Sequence, residues 1–135
     1  MKKFTAALAI GALALAGSAA QAKTTAEKGE ERLAKMLEGR VAGEPRNCIT
    51  SFQSRDVQVI DETAIVYDGG KTVWVARPRD PKMLDKFDVL VMERHGSQIC
   101  ANDVMRTIDP TSGFTTGVVF LDDFVPYTRT EDGTG

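Results

Sequence analysis

Short runs of β-forming residues, each bounded by turn residues, fill the chain from Cys48 onward and constrain its fold more than any other feature. No strand–helix–strand alternation appears, which favours antiparallel pairing. We therefore predict a mainly β domain over residues 46–127, a small antiparallel barrel or roll of about seven short strands with one N-terminal helix. The predicted strands span residues 48–52, 57–60, 63–67, 72–76, 89–94, 103–108 and 117–121.

Two segments between these runs have the composition of tight turns. Residues 67–72 read YDGGKT, and glycines at this point can adopt the positive φ that hairpin turns require. Residues 109–113 read DPTSG, and the proline at position 110 cannot lie in a central strand. Each segment is therefore predicted to be a turn that separates strand runs. The polar residues 128–135 after the last run predict a disordered tail.

The N-terminal helix is predicted over residues 24–39. Thr24 and Glu27 have the spacing of a capping box, in which Thr24 accepts from the Glu27 amide and the Glu27 side chain reaches back. The apolar stripe that includes Leu33 is narrow, and Gly29 weakens the first half of the helix. We expect this helix to dock by one edge and to form, with a linker, the segment 23–45.

Three predicted strands are apolar on both faces, at residues 65–67, 73–75 and 89–92. One side of each strand should line the core. The other side packs under the N-terminal helix, packs under the loop 77–87, or forms a contact with another protein.

Residues 1–22 have the three zones of a cleavable export signal. Lys2 and Lys3 give a positive start, an uncharged stretch rich in alanine and leucine follows, and small residues precede a cleavage site between Ala22 and Lys23. The apolar stretch is shorter than the roughly 20 residues that a spanning helix needs. Ser18 stands where a lipoprotein signal carries its acylated cysteine, so no lipid anchor is expected. These features predict a periplasmic or secreted protein with no stable membrane anchor after cleavage.

The charge balance argues against a nucleic-acid partner. The chain has 17 basic and 19 acidic side chains and a formal charge of −2, and loss of the two leader lysines makes it more negative. Nucleic-acid binding depends first on the neutralisation of phosphates, and no basic stripe with interleaved aromatics is visible. Arg77, Arg79, Lys82 and Lys86 cluster near two prolines, which favours a solvated loop over an anion site.

Cys48 and Cys100 are the two cysteines of the chain, and an exported domain folds under oxidising conditions. Two thiols in a small exported domain most often form a disulfide. No C-x-x-C motif is present that would indicate a redox pair. We therefore predict a bridge between Cys48 and Cys100.

His95 is the single histidine and the one basis for an enzymatic or metal site. With Cys100 and Asp103 it would make a poor metal set, because zinc sites gather three or four nitrogen or sulfur ligands. A serine–histidine–carboxylate triad would need His95, and no G-x-S-x-G motif is present. Asp122 and Asp123 are adjacent and point to opposite faces if that segment is extended, which argues against a shared acid–base pair. No cofactor, metal or catalytic residue is predicted.

Three blocks of sequence, residues 39–49, 96–103 and 122–127, resemble a domain-of-unknown-function family of small exported proteobacterial proteins. Members of that family often carry two further cysteines, at places where this chain has PKML (residues 81–84) and TGV (116–118). The resemblance therefore implies the loss of one bridge and the pairing of Cys48 with Cys100. The family has no assigned activity, so it adds no catalytic residue.

The sequence leads to two main hypotheses for the function. The first is a non-enzymatic envelope protein that binds another protein or an envelope component through its sheet surface, since no catalytic set is visible. The alternative is a small periplasmic hydrolase or ligand-modifying enzyme that uses His95 with Asp103 or Asp122. Metal carriage is a third and weaker hypothesis.

Overall fold

The computed structural model describes residues 20–50, 56–94 and 96–130. In these residues one α-helix, α1 (Thr25–Met36), precedes a series of short strands, so the prediction of a mainly β fold with one N-terminal helix is confirmed. The strands are β1 (Arg40–Ala42), β2 (Cys48–Thr50), β3 (Asp56–Ile60), β4 (Ala64–Asp68), β5 (Thr72–Ala76), β6 (Val89–Met92), β7 (Gln98–Cys100), β8 (Met105–Ile108), β9 (Thr115–Val119) and β10 (Val125–Arg129). A 3-10 turn, Pro81–Met83, lies between β5 and β6.

The strands form three antiparallel sheets. One has five strands in the order β1-β10-β5-β4-β3, a second has three in the order β6-β8-β9, and β2 pairs with β7. All three sheets are open among the described residues, so these pairings close no barrel. No helix in the described ranges is long and apolar enough to cross a membrane.

The two predicted turns are present. In the β4–β5 hairpin the Gly69 amide donates to the Thr72 carbonyl at 3.0 Å, and Gly70 has a φ of 85°. In the β8–β9 turn the Asp109 carboxylate accepts from the Ser112 and Thr111 amides at 2.8 and 2.7 Å, which lowers the pKa of that carboxyl. Both turns use the residue types that the sequence indicated.

Three strands lie where none was predicted: β1 in the predicted linker, β7, and β10. Because β10 runs to Arg129, the prediction of a disordered tail is wrong for Thr128 and Arg129; residues 131–135 lie outside the described residues. Pro126 lies inside β10, between β1 and β5. Its carbonyl accepts from the amide of Gly43, one residue past the end of β1. The proline nitrogen, which has no N–H, therefore faces the end of β1, and only one hydrogen bond of the ladder is lost.

The larger part of the core lies where the three sheets meet. Phe124 is fully buried there, contacts Tyr67 edge-on with ring centroids 5.7 Å apart, and exchanges two backbone hydrogen bonds of 2.8 Å with Arg46. Burial raises the pKa of the Tyr67 hydroxyl. The other buried residues of this cluster are Ile49, Ile65, Trp74, Ala76, Leu84, Ile99, Ala101, Met105, Val119, Leu121.

The second part of the core lies between the five-stranded sheet and α1. Leu33 of α1 packs on Val66 and Val75, which face away from the first cluster. The predicted capping box is present: the Glu27 amide donates to the Thr24 hydroxyl at 3.2 Å, and the Thr24 amide donates to the Glu27 carboxylate at 2.7 Å. Helix α1 thus covers the second apolar face of β4 and β5.

An ion pair also fixes α1 to the end of β5. Arg77 donates to both carboxylate oxygens of Glu30, at 2.6 and 3.1 Å. The Arg77 guanidinium lowers the pKa of the Glu30 carboxyl. Both side chains are about half exposed, so the pair orients the helix more than it stabilises the fold.

Gly29 is a point of close approach between α1 and the turn that joins β3 to β4. It is buried, and a Cβ at this position would lie 1.9 Å from the Thr63 hydroxyl oxygen and 2.8 Å from the Asp61 carbonyl. From the sequence, Gly29 was predicted to weaken the first half of the helix. The structure shows that the absent side chain is what allows α1 to approach the turn between β3 and β4.

We therefore expect Gly29→Ala to destabilise the protein by about 1–3 kcal/mol through overpacking. Helix propensity alone predicts the opposite sign, a gain of up to about 1 kcal/mol. Urea unfolding measures the change, and Lys28→Ala, next to it on the exposed side of α1, serves as the control and should change stability by less than about 0.5 kcal/mol. A stabilised Gly29→Ala variant would contradict this packing.

Candidate functional site: the outer face of the three-stranded sheet

The three-stranded sheet buries one face and exposes the other. Met105 and Thr107 of β8 and Val119 of β9 point into the core and are about 1 % exposed. Side chains alternate along a strand, so Arg106 and Val118 point the opposite way. The register places Val91 of β6 beside Arg106 on one side and Val118 beside it on the other. These three residues form a row across the outer face.

The same alternation adds further apolar side chains to this row. Val89 lies two residues before Val91, Val104 two residues before Arg106, and Phe120 two residues after Val118. We define the outer apolar face as Val89, Val91, Val104, Val118 and Phe120, and each of them is exposed. Phe120 is 55 % exposed although its backbone is held, since its carbonyl accepts from the Arg79 amide at 2.8 Å.

Two more phenylalanines lie at one end of this sheet. Phe87 lies two residues before β6 and Phe114 immediately before β9, and both strands begin at the same end because each is antiparallel to β8. Phe87 is 72 % and Phe114 75 % exposed. Such exposure of large aromatic side chains is costly in water unless another surface covers them.

One ion pair lies among the apolar side chains of the outer face. Arg106 donates to the carboxylate of Glu93, which lies directly opposite Val104. Both side chains are about half exposed, so the pair is hydrated and contributes little to stability. The face is therefore apolar, with one acidic and one basic group beside each other.

The contrast with β4 and β5 identifies this face as unusual. All three strand segments that the sequence marked as apolar on both sides are present. Helix α1 covers the second face of β4 and β5, whereas Val89 and Val91 of β6 stay exposed. With the flanking phenylalanines, the exposed apolar side chains of this face together offer roughly 700 Å², on the scale of the largest apolar patch on a typical monomer.

The predicted disulfide is present. Cys48 and Cys100 lie directly opposite each other in the β2–β7 pair, with Cα atoms 4.0 Å apart and a sequence separation of 52. The neighbouring Ala101 amide donates to the Asn47 carbonyl, so the cysteines occupy a pair of positions without ladder hydrogen bonds. Side chains approach each other most closely at such positions, which is where a bridge fits.

Replacement of both cysteines by alanine should lower the free energy of unfolding by about 2–4 kcal/mol, because the bridge restricts a long loop in the unfolded chain. Urea unfolding checks this, with reduced wild-type protein as the matched control that should be destabilised by a similar amount. Thiol titration of denatured, unreduced protein should find no free thiol. Two free thiols per chain would contradict the bridge.

The other sequence-predicted candidates lie apart from the outer face. Asp103 caps a turn, since its carboxylate accepts from the Cys100 amide at 2.8 Å. His95 lies outside the described residues, so its place beside Asp103 or Asp122 stays a prediction. Among the described residues no group of three or more histidine, cysteine, aspartate or glutamate side chains could hold a metal ion.

Asp122 and Asp123 line one shallow cavity of about 430 Å³, although an extended segment would have placed them on opposite faces. Each has a neighbour of its own: the Arg79 guanidinium lies 3.6 Å from Asp122, and the Asn47 amide donates to Asp123 at 3.3 Å. The segment is irregular here because single bridges hold Leu121 and Phe124, which points both aspartates to solvent. The cavity is open, and Pro45, Leu121 and Val125 are also among the residues that line it.

The basic cluster of the loop after β5 is divided among separate partners. Arg77 pairs with Glu30, Arg79 lies near Asp122, and Lys86 lies 3.0 Å from an Asp61 carboxylate oxygen. These contacts fix the loop to α1, to the segment between β9 and β10 and to the β3–β4 turn. They favour the solvated-loop interpretation over an anion site.

Comparisons of the chain with protein-family models, curated proteins and solved structures found no significant match. The resemblance to a family of small exported proteins therefore stays an expectation. The outer apolar face is the feature that sequence reasoning located only in part. Its signal was the uninterrupted apolar run of residues 89–92, and Val104, Val118 and Phe120 belong to it through strand pairing that the sequence does not display.

Proposed function

We propose that the chain is an exported envelope protein, a small roll of antiparallel strands that acts as a non-enzymatic binding module. Its docking surface is the outer apolar face, and its partner is a protein surface that is itself apolar and can accommodate Arg106 beside Glu93. The observation that supports this proposal is the exposure of Val89, Val91 and Val118 on a sheet whose other face packs against the core.

The physical argument concerns the cost of this arrangement. An apolar side chain that stays in water forgoes about 1.5–3 kcal/mol of burial free energy. Exposed apolar side chains that occur singly are normal, but here several lie together on one sheet face, on both sides of Arg106. A contiguous patch of this kind marks protein contact sites in folded domains, and the central valines are stiff and lose little side-chain entropy when covered.

The disulfide supports export as part of this proposal. Bridges persist in oxidising compartments and are rare in the cytosol of most cells. The pair Cys48–Cys100 therefore fits a domain that matures after residues 1–22 have guided it across a membrane and cleavage has occurred between Ala22 and Lys23.

The experiment that tests this function places a photo-crosslinking phenylalanine analogue at Phe120, in cells that export the full chain. Position 120 is exposed and the exchange conserves its aromatic ring, so the fold should be retained. We expect a discrete crosslinked species from the envelope fraction, in which the chain begins at Lys23. The yield should fall at least tenfold when the same chain also carries Val118→Glu.

The matched control places the analogue at Val41, which is 52 % exposed on β1 of the other sheet. It should give no discrete product. Equal crosslinking from positions 41 and 120, or none from position 120, would contradict a docking role for the outer apolar face. An uncleaved chain in the cytosol would contradict export.

A further inference from the structure

We infer that the partner on the outer apolar face is a second copy of this chain, docked through a two-fold contact that stacks the two three-stranded sheets. This inference rests on the proposed function and names the occupant of the same surface. Three properties of the face carry it: its size, its charge pattern and its shape.

The size of the face matches one half of a stable interface. The valines and phenylalanines that are exposed on and beside the three-stranded sheet offer roughly 700 Å², close to the approximately 800 Å² that each partner contributes to a standard-size contact. The patch would thus be covered by one surface of its own area. Homodimer interfaces are also the more apolar class, which suits a sheet face on which Arg106 and Glu93 pair with each other among valines.

The charge pattern of the face is complementary to itself. In a two-fold contact the same patch is used twice, so residue i meets residue j and residue j meets residue i. Arg106 and Glu93 are neighbours of opposite charge. A two-fold axis that passes close to them brings each Arg106 near the partner subunit's Glu93 as well as its own. A face with two groups of one sign would repel its copy, whereas this face places opposite charges next to each other.

The shape of the face suits the packing of sheet on sheet. Val91 and Val118 flank Arg106 on the two strands beside β8, so short, branched side chains lie on both sides of the central ion pair. Two such layers pack about 10 Å apart with their side chains interdigitated, as in a β-sandwich. Phe87 and Phe114 stand at the end of the layer, where they can cover the rim of the contact.

Sedimentation equilibrium of the purified, oxidised and signal-cleaved chain tests the inference. We expect a reversible dimer in the micromolar range. Val91→Glu and Val118→Glu, each at an exposed position, should raise the dimer dissociation constant at least tenfold. Val41→Glu introduces the same charge on β1 and should leave it unchanged, and circular dichroism confirms that all three variants are folded.

A charge exchange gives a second test that does not depend on buried surface. Arg106→Glu places two acidic groups against the same two groups of the copy and should weaken the dimer at least tenfold. The double variant Glu93→Arg with Arg106→Glu restores one group of each sign and should return the dissociation constant to within threefold of the wild type.

A wild-type chain that stays monomeric at millimolar concentration overturns this inference. So does a dimer that Val41→Glu weakens as much as Val118→Glu, because the contact then lies elsewhere. If the chain is monomeric while position 120 crosslinks to a different envelope protein, the second copy is excluded and the proposed binding function stands. If position 120 also gives no product, both fail together.

Discussion

The packing of the inner side of each sheet around Phe124 determines which side chains the strands expose on their outer side. Phe124 is inaccessible to solvent, its ring contacts Tyr67, and its backbone is bonded on both sides to Arg46. Met105 and Val119 join the same cluster from the three-stranded sheet. Once these side chains are buried, the alternation of the strands leaves no choice for their neighbours, and Arg106 and Val118 must face outward.

The outward side of the five-stranded sheet and that of the three-stranded sheet differ in whether another element covers them. On the five-stranded sheet, α1 covers the second face, and the close approach at Gly29 together with the Glu30–Arg77 pair holds the helix in place. On the three-stranded sheet no described element covers Val89 and Val91, which stay exposed. The disulfide joins β2 to β7 within the third sheet, and Ile49 and Ile99 of these strands pack into the same core. The core is therefore buried by the sheets and α1, whereas the outer apolar face stays exposed to solvent.

Local signals in the sequence predicted the helix, its capping box, both turns and the bridge, because each depends on residues that carry their own chemistry. The sequence did not predict β1 or β10, since three residues at Arg40–Ala42 and a strand that contains Pro126 acquire strand geometry only from each other. The outer apolar face was visible only at residues 89–92. Val104, Val118 and Phe120 belong to it through strand register, which is long-range information.

Solvent paramagnetic relaxation of valine methyl groups, measured on dilute and on concentrated protein, tests the central claim most directly. The account predicts that the methyls of Val91, Val104 and Val118 relax strongly in dilute solution and are protected in concentrated solution. Those of Val41 should relax strongly at both concentrations. Protection of Val91 and Val118 even at high dilution would mean that the chain covers this face itself, and that result would contradict the account.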